Sequence, residues 1–124
     1  MTSTSWVVEQ TPEFRRWWIS LSHDEQESVD TSIGLLEARG PHLSFPHSSR
    51  ILASRHANMR ELRVQHQGRP YRVLYAFDPR RVALLLIGGE KTGRNRWYEQ
   101  FVPIADRLLE QHFNELRNVR KRNG

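Results

Sequence analysis

Between Met59 and Gly93 the sequence MRELRVQHQGRPYRVLYAFDPRRVALLLIGGEKTG reads as three consecutive β-strands joined by two short turns, and the rest of the chain must pack around them. From Arg60 to His66 the residues alternate, with Leu62 and Val64 pointing one way and Glu61, Arg63 and Gln65 the other. Gln67-Gly68-Arg69-Pro70 turns the chain. From Tyr71 to Asp78, Tyr71, Val73, Tyr75 and Phe77 share one face, and Arg72, Leu74, Ala76 and Asp78 the other. Asp78-Pro79-Arg80-Arg81 makes the second turn. The run Val82 to Ile87 is unbroken and apolar, as in a strand buried on both faces. Turns this short permit only antiparallel neighbours.

A chain of 124 residues is expected to form one domain, residues 1–124, without linker, repeat or low-complexity tract. No apolar run approaches the roughly 18 residues of a membrane span, and the N-terminus lacks a signal-peptide pattern. A cytoplasmic protein with no membrane association is expected. The absence of cysteine excludes disulfides and thiolate metal sites and is compatible with a reducing compartment.

The net charge of +5 is unevenly spread. Residues 1–50 hold four arginines against seven acids, a balance of −3, whereas residues 51–98 hold ten basic residues against three acids, +7. The remaining residues give five against four. The positive charge therefore sits on the meander and the loop after it, as binding a polyanion requires. A solvated, solubilising sheet face would give the same composition.

Ahead of the meander, Ser5 to Gln10 suits a short strand. Thr11 as N-cap and Pro12 at the first helical position start a helix with Phe14, Trp17, Trp18 and Leu21 on its apolar stripe. Ser22 and Glu25 form a capping box for a second helix, with Val29, Ile33 and Leu36 inward, and Gly40-Pro41 ends it. Residues 41–58 read as an exposed loop, with Arg50 to Ala53 a candidate extended piece. Gly88 to Arg96 reads as a flexible basic loop. Trp97, Phe101, Ile104, Leu108 and His112 then spell a long helix that contains Pro103, which must kink it or mark a fresh start. The basic tail from Arg117 to Gly124 is expected to fray.

The expected fold is therefore α+β, a small, mostly antiparallel sheet in the order β-α-α-β-β-β-α, with helices on one face and a basic open face. By parity that face carries Glu61, Arg63 and Arg72, with Lys91 nearby: two guanidiniums and a carboxylate on adjacent strands. Such a group can hold a phosphate.

These strings in this order resemble the RelE/ParE superfamily of toxins from type II toxin–antitoxin systems, in particular its HigB-like, phage Gp49-like branch. The resemblance rests on Thr11-Pro12-Glu13-Phe14 with Trp17-Trp18, on Leu35-Leu36-Glu37 to Gly40-Pro41, and above all on Asn58-Met59-Arg60-Glu61-Leu62-Arg63-Val64. It continues through Tyr71 to Arg81, Gly88-Gly89 with Lys91-Thr92-Gly93, Arg96-Trp97-Tyr98 and Pro103 to Leu108, covering nearly the whole chain.

The resemblance implies an mRNA endoribonuclease that needs no metal and no cofactor, acts in association with the ribosome, and is neutralised by a HigA-like helix-turn-helix antitoxin through which alone it would meet operator DNA. In such a reaction the ribose 2′-oxygen attacks the adjacent phosphate. Arg63 and Arg72 would stabilise the charge on phosphorus, since guanidinium binds phosphate oxygens bidentately. Glu61 is the candidate base, or else it merely pairs with Arg63 or Arg72. Lys91 would touch phosphate. Tyr98 would act near the leaving group or stack on a base, with a core position as the alternative. Arg60, His56, His66, Arg94 and Arg96 are the candidate RNA contacts. His23, His42 and His47 read as cap or loop residues, and His112 as a packed, hydrogen-bonded histidine. A gyrase inhibitor of the ParE type and a non-catalytic nucleic-acid-binding module are the competing readings.

Overall fold

The computed structural model describes residues 5–93 and 95–123. The elements are β1 (Val8–Gln10), α1 (Pro12–Ser20), α2 (His23–Arg39), β2 (Ser48–Arg50), β3 (Arg60–His66), β4 (Arg69–Phe77), β5 (Ala83–Glu90) and α3 (Arg96–Asn123), with a short 3₁₀ turn at Gly40–His42 after α2. The strands form one five-stranded sheet in the order β1-β5-β4-β3-β2. Only the β1–β5 pair is parallel. The α+β class and the antiparallel meander stand as expected.

Local chemistry sets the helix ends. The Thr11 side chain accepts from the Phe14 backbone at 3.0 Å and starts α1 with Pro12 in its first turn. Ser22 and Glu25 cap α2 reciprocally, and Gly40, at φ 54°, ends it in a conformation that a side chain would resist. The β3–β4 hairpin turns on Gln67 and Gly68 alone, both with positive φ, the geometry of a two-residue hairpin loop.

The helices do not share one sheet face, which corrects the expected open face. α1 and α2 cover the side bearing Leu62, Val64, Tyr71, Val73, Tyr75, Ala83 and Leu85. α3 covers the other side, where Leu74, Ala76, Leu84 and Leu86 meet Trp97, Val102, Ala105, Leu108 and Leu109. The reason is the apolar run in β5: a strand with no polar side needs cover on both sides. What stays uncovered is the end of that second face beside the start of α3.

Several boundaries also differ from the sequence reading: β1 begins only at Val8, and β4 takes in Arg69 and Pro70 from the expected turn. The strand added at the edge of β3 is Ser48–Arg50 rather than Arg50–Ala53, and Ser48 is fully buried, its hydroxyl 2.6 Å from the Tyr75 hydroxyl. β5 runs on through Gly88 and Gly89, where a flexible loop was expected. A Cβ on Gly88 would overlap the Trp17 ring of α1, and one on Gly89 would stand 2.9 Å from Trp97 Nε1 of α3, so each glycine admits an indole to one face of the strand. Finally, α3 is continuous through Pro103 and helical to Asn123, so the helix takes in most of the basic run from Arg117. Pro103 lies on the solvent side of the helix, where water can satisfy a freed carbonyl.

Candidate functional site

Directly opposed pairs of the sheet bring the predicted polar residues together. Ser49 of β2 stands across from Glu61 of β3, and Arg63 of β3 across from Arg72 of β4. Glu61, Arg63 and Arg72 share the face that α3 covers, as parity requires, and the first turn of α3 lowers Tyr98 onto them. Tyr98 Oη donates to Glu61 Oε1 at 2.6 Å, and Ser49 Oγ to Glu61 Oε2 at 2.6 Å. Arg72 Nε lies 3.3 Å from Oε1 and Arg63 Nη1 3.4 Å from Oε2. One carboxylate thus holds two hydroxyls and two guanidiniums. Lys91, at the end of β5, places its ammonium over the Tyr98 ring, 5.2 Å from the centroid.

The two arginines differ in exposure. Arg72 is buried and spends Nη1 on the Tyr71 carbonyl at 3.0 Å, while its Nε, near Glu61 but misaligned, has no hydrogen-bond acceptor among the described residues. Arg63 keeps 29% of its side chain exposed. Glu61 is only 4% exposed; Tyr98, Ser49 and Arg63 donate to it, and Arg72 adds its charge without a hydrogen bond. Burial pushes the Tyr98 phenol above its ordinary range, the hydrogen bond and charge of Glu61 add to this, and Arg72 opposes it. Tyr98 is therefore a hydrogen-bond donor at neutral pH.

Beyond the arginines the surface opens into a cavity of about 650 Å³ between α2 and the edge of β3, lined by Ser28, Thr31, Ser32, Pro46, His47, Arg63, Gln65 and Arg72 among others. His47 lines it although its sequence context reads as loop. Its carbonyl accepts from the Arg63 backbone at 2.8 Å, so the loop before β2 is tied to the strand that carries the site.

The structure brings Glu61, Arg63, Arg72, Lys91 and Tyr98 into one cluster, with Arg96 exposed at the start of α3 beside it. The other predicted RNA contacts lie elsewhere or are engaged. Arg60 projects to the opposite face and donates to Ser48 Oγ at 2.9 Å. His56 contacts Glu110 at 3.3 Å and sits edge-on to Phe113, midway along α3. His66 Nδ1 pairs with Ser28 Oγ at 2.7 Å. Arg94 lies outside the described residues. His112 is packed and hydrogen-bonded as expected, 2.8 Å from Asp78 Oδ2. Sequence reasoning missed Ser49 and His47, for which strand pairing and loop closure supply the only signal.

Residues 16–110 match the family of phage-derived Gp49-like proteins. The chain belongs to this family and is HigB-like. Over 100 residues this Gp49-like chain is 44% identical to HigB3 of Mycobacterium tuberculosis, covering 80% of its own length and 86% of that protein. Over 120 residues it is 35% identical to HigB2 of the same organism, covering 95% of its own length but 59% of that longer protein. Both relatives carry the name of a toxin. The structure of an arginine-substituted E. coli RelE toxin in the free state superposes with a TM-score of 0.54 at 10% identity, covering 87% of this chain and 98% of that one, a likeness of fold. Among the described residues of this HigB-like protein, no helix is long and apolar enough to cross a membrane.

Proposed function

We propose that this HigB-like toxin is a metal-independent mRNA endoribonuclease, acting at the ribosome in the cytoplasm and neutralised by a helix-turn-helix antitoxin of the HigA type. The observation that carries the reading is the joint grip of one buried carboxylate on Arg63, Arg72 and Tyr98 at the mouth of an open cavity. Guanidiniums fixed in advance cost no reorganisation when charge builds on phosphorus.

In the proposed step the 2′-oxygen attacks phosphorus, the bond to the 5′-oxygen breaks, that oxygen takes a proton from water to leave as a hydroxyl, and a 2′,3′-cyclic phosphate remains. Arg63 and Arg72 hold the non-bridging oxygens, Lys91 adds a charge, and the Tyr98 hydroxyl orients the group. Glu61 acts through these residues: with its oxygens occupied it fixes the guanidiniums, which favours the pairing role over that of base. His47 on the cavity wall is our candidate to take the 2′-hydroxyl proton.

The test is induced expression of the wild type beside Arg63→Ala and Arg63→Lys, with growth followed and new 5′ ends of cellular mRNA mapped. Arrest with new ends in the wild type only, and in neither variant, supports cleavage. Arrest with intact mRNA refutes it and favours a gyrase target; no arrest in any culture favours a binding module.

A further inference from the structure

We propose that the cavity beside Arg63 and Arg72 is a nucleotide subsite, beside which Phe45, next in the chain to the lining residue Pro46, stacks on the base adjoining the bound phosphate, while the wall formed by α2 and β3 reads the edge of that base. The proposal rests on the RNA-cleaving reading above and extends it to residues outside the carboxylate–arginine cluster.

Phe45 is the starting observation. Among the described residues it is an aromatic side chain that folding leaves 70% exposed, while the other exposed large apolar residues are aliphatic. It stands over a group of the site: the Arg63 guanidinium carbon lies 5.1 Å from its ring centroid. An exposed phenyl ring contributes little to the core, but beside the Arg63 guanidinium it offers a π-face on which a base can stack.

The platform is held rigidly. Leu43 before it and Ser48 after it are buried, and the Ser44 carbonyl accepts from the backbone of His47 at 2.9 Å and of Ser48 at 3.1 Å. The Arg63 backbone donates to His47 on the same loop. The backbone on either side of Phe45 is therefore tied down, and through His47 it is joined to the strand that carries Arg63.

The cavity has the chemistry of a base pocket. Its volume of about 650 Å³ falls within the roughly 300–1,000 Å³ of small-molecule sites. Its wall carries the hydroxyls of Ser28, Thr31 and Ser32 and the amide of Gln65, with two arginines at one side. Ser28 already meets His66 and Thr31 donates to the Glu27 carbonyl, so Ser32 and Gln65 are the groups placed to meet a base edge. By contrast, the apolar groove at the far end of α3, lined by Phe113, Leu116 and Val119, has no contact with this cluster.

The experiment uses a short RNA with 2′-O-methyl groups to block cleavage, free and loaded on ribosomes, in which a single abasic residue is moved position by position. For the wild type, one position next to the protected phosphate should weaken binding about tenfold, the scale of a lost stacking contact. In Phe45→Ala, affinity for the intact RNA should fall by the same factor, and the abasic residue at that position should cost nothing further. Gln65→Ala should leave the abasic profile intact but flatten the preference among bases at that position. Equal abasic penalties in wild type and Phe45→Ala overturn the subsite, even if unblocked RNA is cleaved normally. If wild type neither binds blocked RNA nor cuts unblocked RNA, the cleavage reading fails and the subsite falls with it.

Discussion

Tyr98 and Glu61, from the first turn of α3 and the second position of β3, meet through a 2.6 Å hydrogen bond inside the protein, and this contact couples the last helix to the strand that carries Arg63. Removing the phenol oxygen leaves a buried carboxylate short of one donor. Tyr98→Phe should therefore lower stability by about 1–3 kcal/mol in urea unfolding, with a larger fractional loss of RNA cleavage than Lys91→Ala, which breaks no such bond.

Gly88 and Gly34 should respond in opposite directions to the same change. Gly88→Ala forces a methyl group into the Trp17 ring and should destabilise by about 1–3 kcal/mol. Gly34 sits within α2 with nothing within 4 Å of its missing Cβ, so Gly34→Ala should stabilise by about 0.5–1 kcal/mol. Thermal melts of the two variants beside wild type check both signs.

The pair Glu25 and Tyr71 should shape stability at both ends of the pH scale. The hydrogen bond from Tyr71, then that from the Ser22 backbone, hold Glu25 down at about 2 against an ordinary 4.5. Burial, then the bond to Glu25, pushes Tyr71 up to about 12 against an ordinary 10. A depressed acid stabilises above its unfolded pKa, so the Glu25 contribution is complete above pH 4.5 and lost as pH falls towards 2. The phenol is raised, so its contribution is complete below pH 10 and lost as pH rises towards 12. Tyr71→Phe should flatten both limbs of a Tm-against-pH curve; unchanged limbs would contradict the coupling.

Asp78 ties the β4–β5 turn to α3 at the end remote from the arginine cluster. Its carboxylate, fully buried, accepts from His112 at 2.8 Å, from Arg80 Nη2 at 2.7 Å and from the backbone of Arg80 and Val82. Burial alone would raise this carboxyl, but the bonds from His112, Arg80 and Val82 outweigh it and hold its pKa below the ordinary range. Asp78→Ala strands those donors and should cost about 3–5 kcal/mol in chemical unfolding. Cleavage per folded molecule should be unchanged, because no contact of Asp78 reaches the cluster.

Much of this was legible in the chain itself because it is local. Capping at Thr11 and Ser22, the stop at Gly40 and the alternation through β3 and β4 depend on residues a few positions apart, and they assigned Glu61, Arg63 and Arg72 to one face. The tertiary structure decided what that face meets. Whether α3 packs over it, whether Ser49 pairs opposite Glu61 and whether Phe45 comes to rest on Arg63 are matters of long-range contact, and no periodicity encodes which surfaces meet. The sequence thus determined a basic cluster on a meander. Only the fold, by closing a helix over that cluster, buried Glu61 and engaged its oxygens with Tyr98 and Ser49.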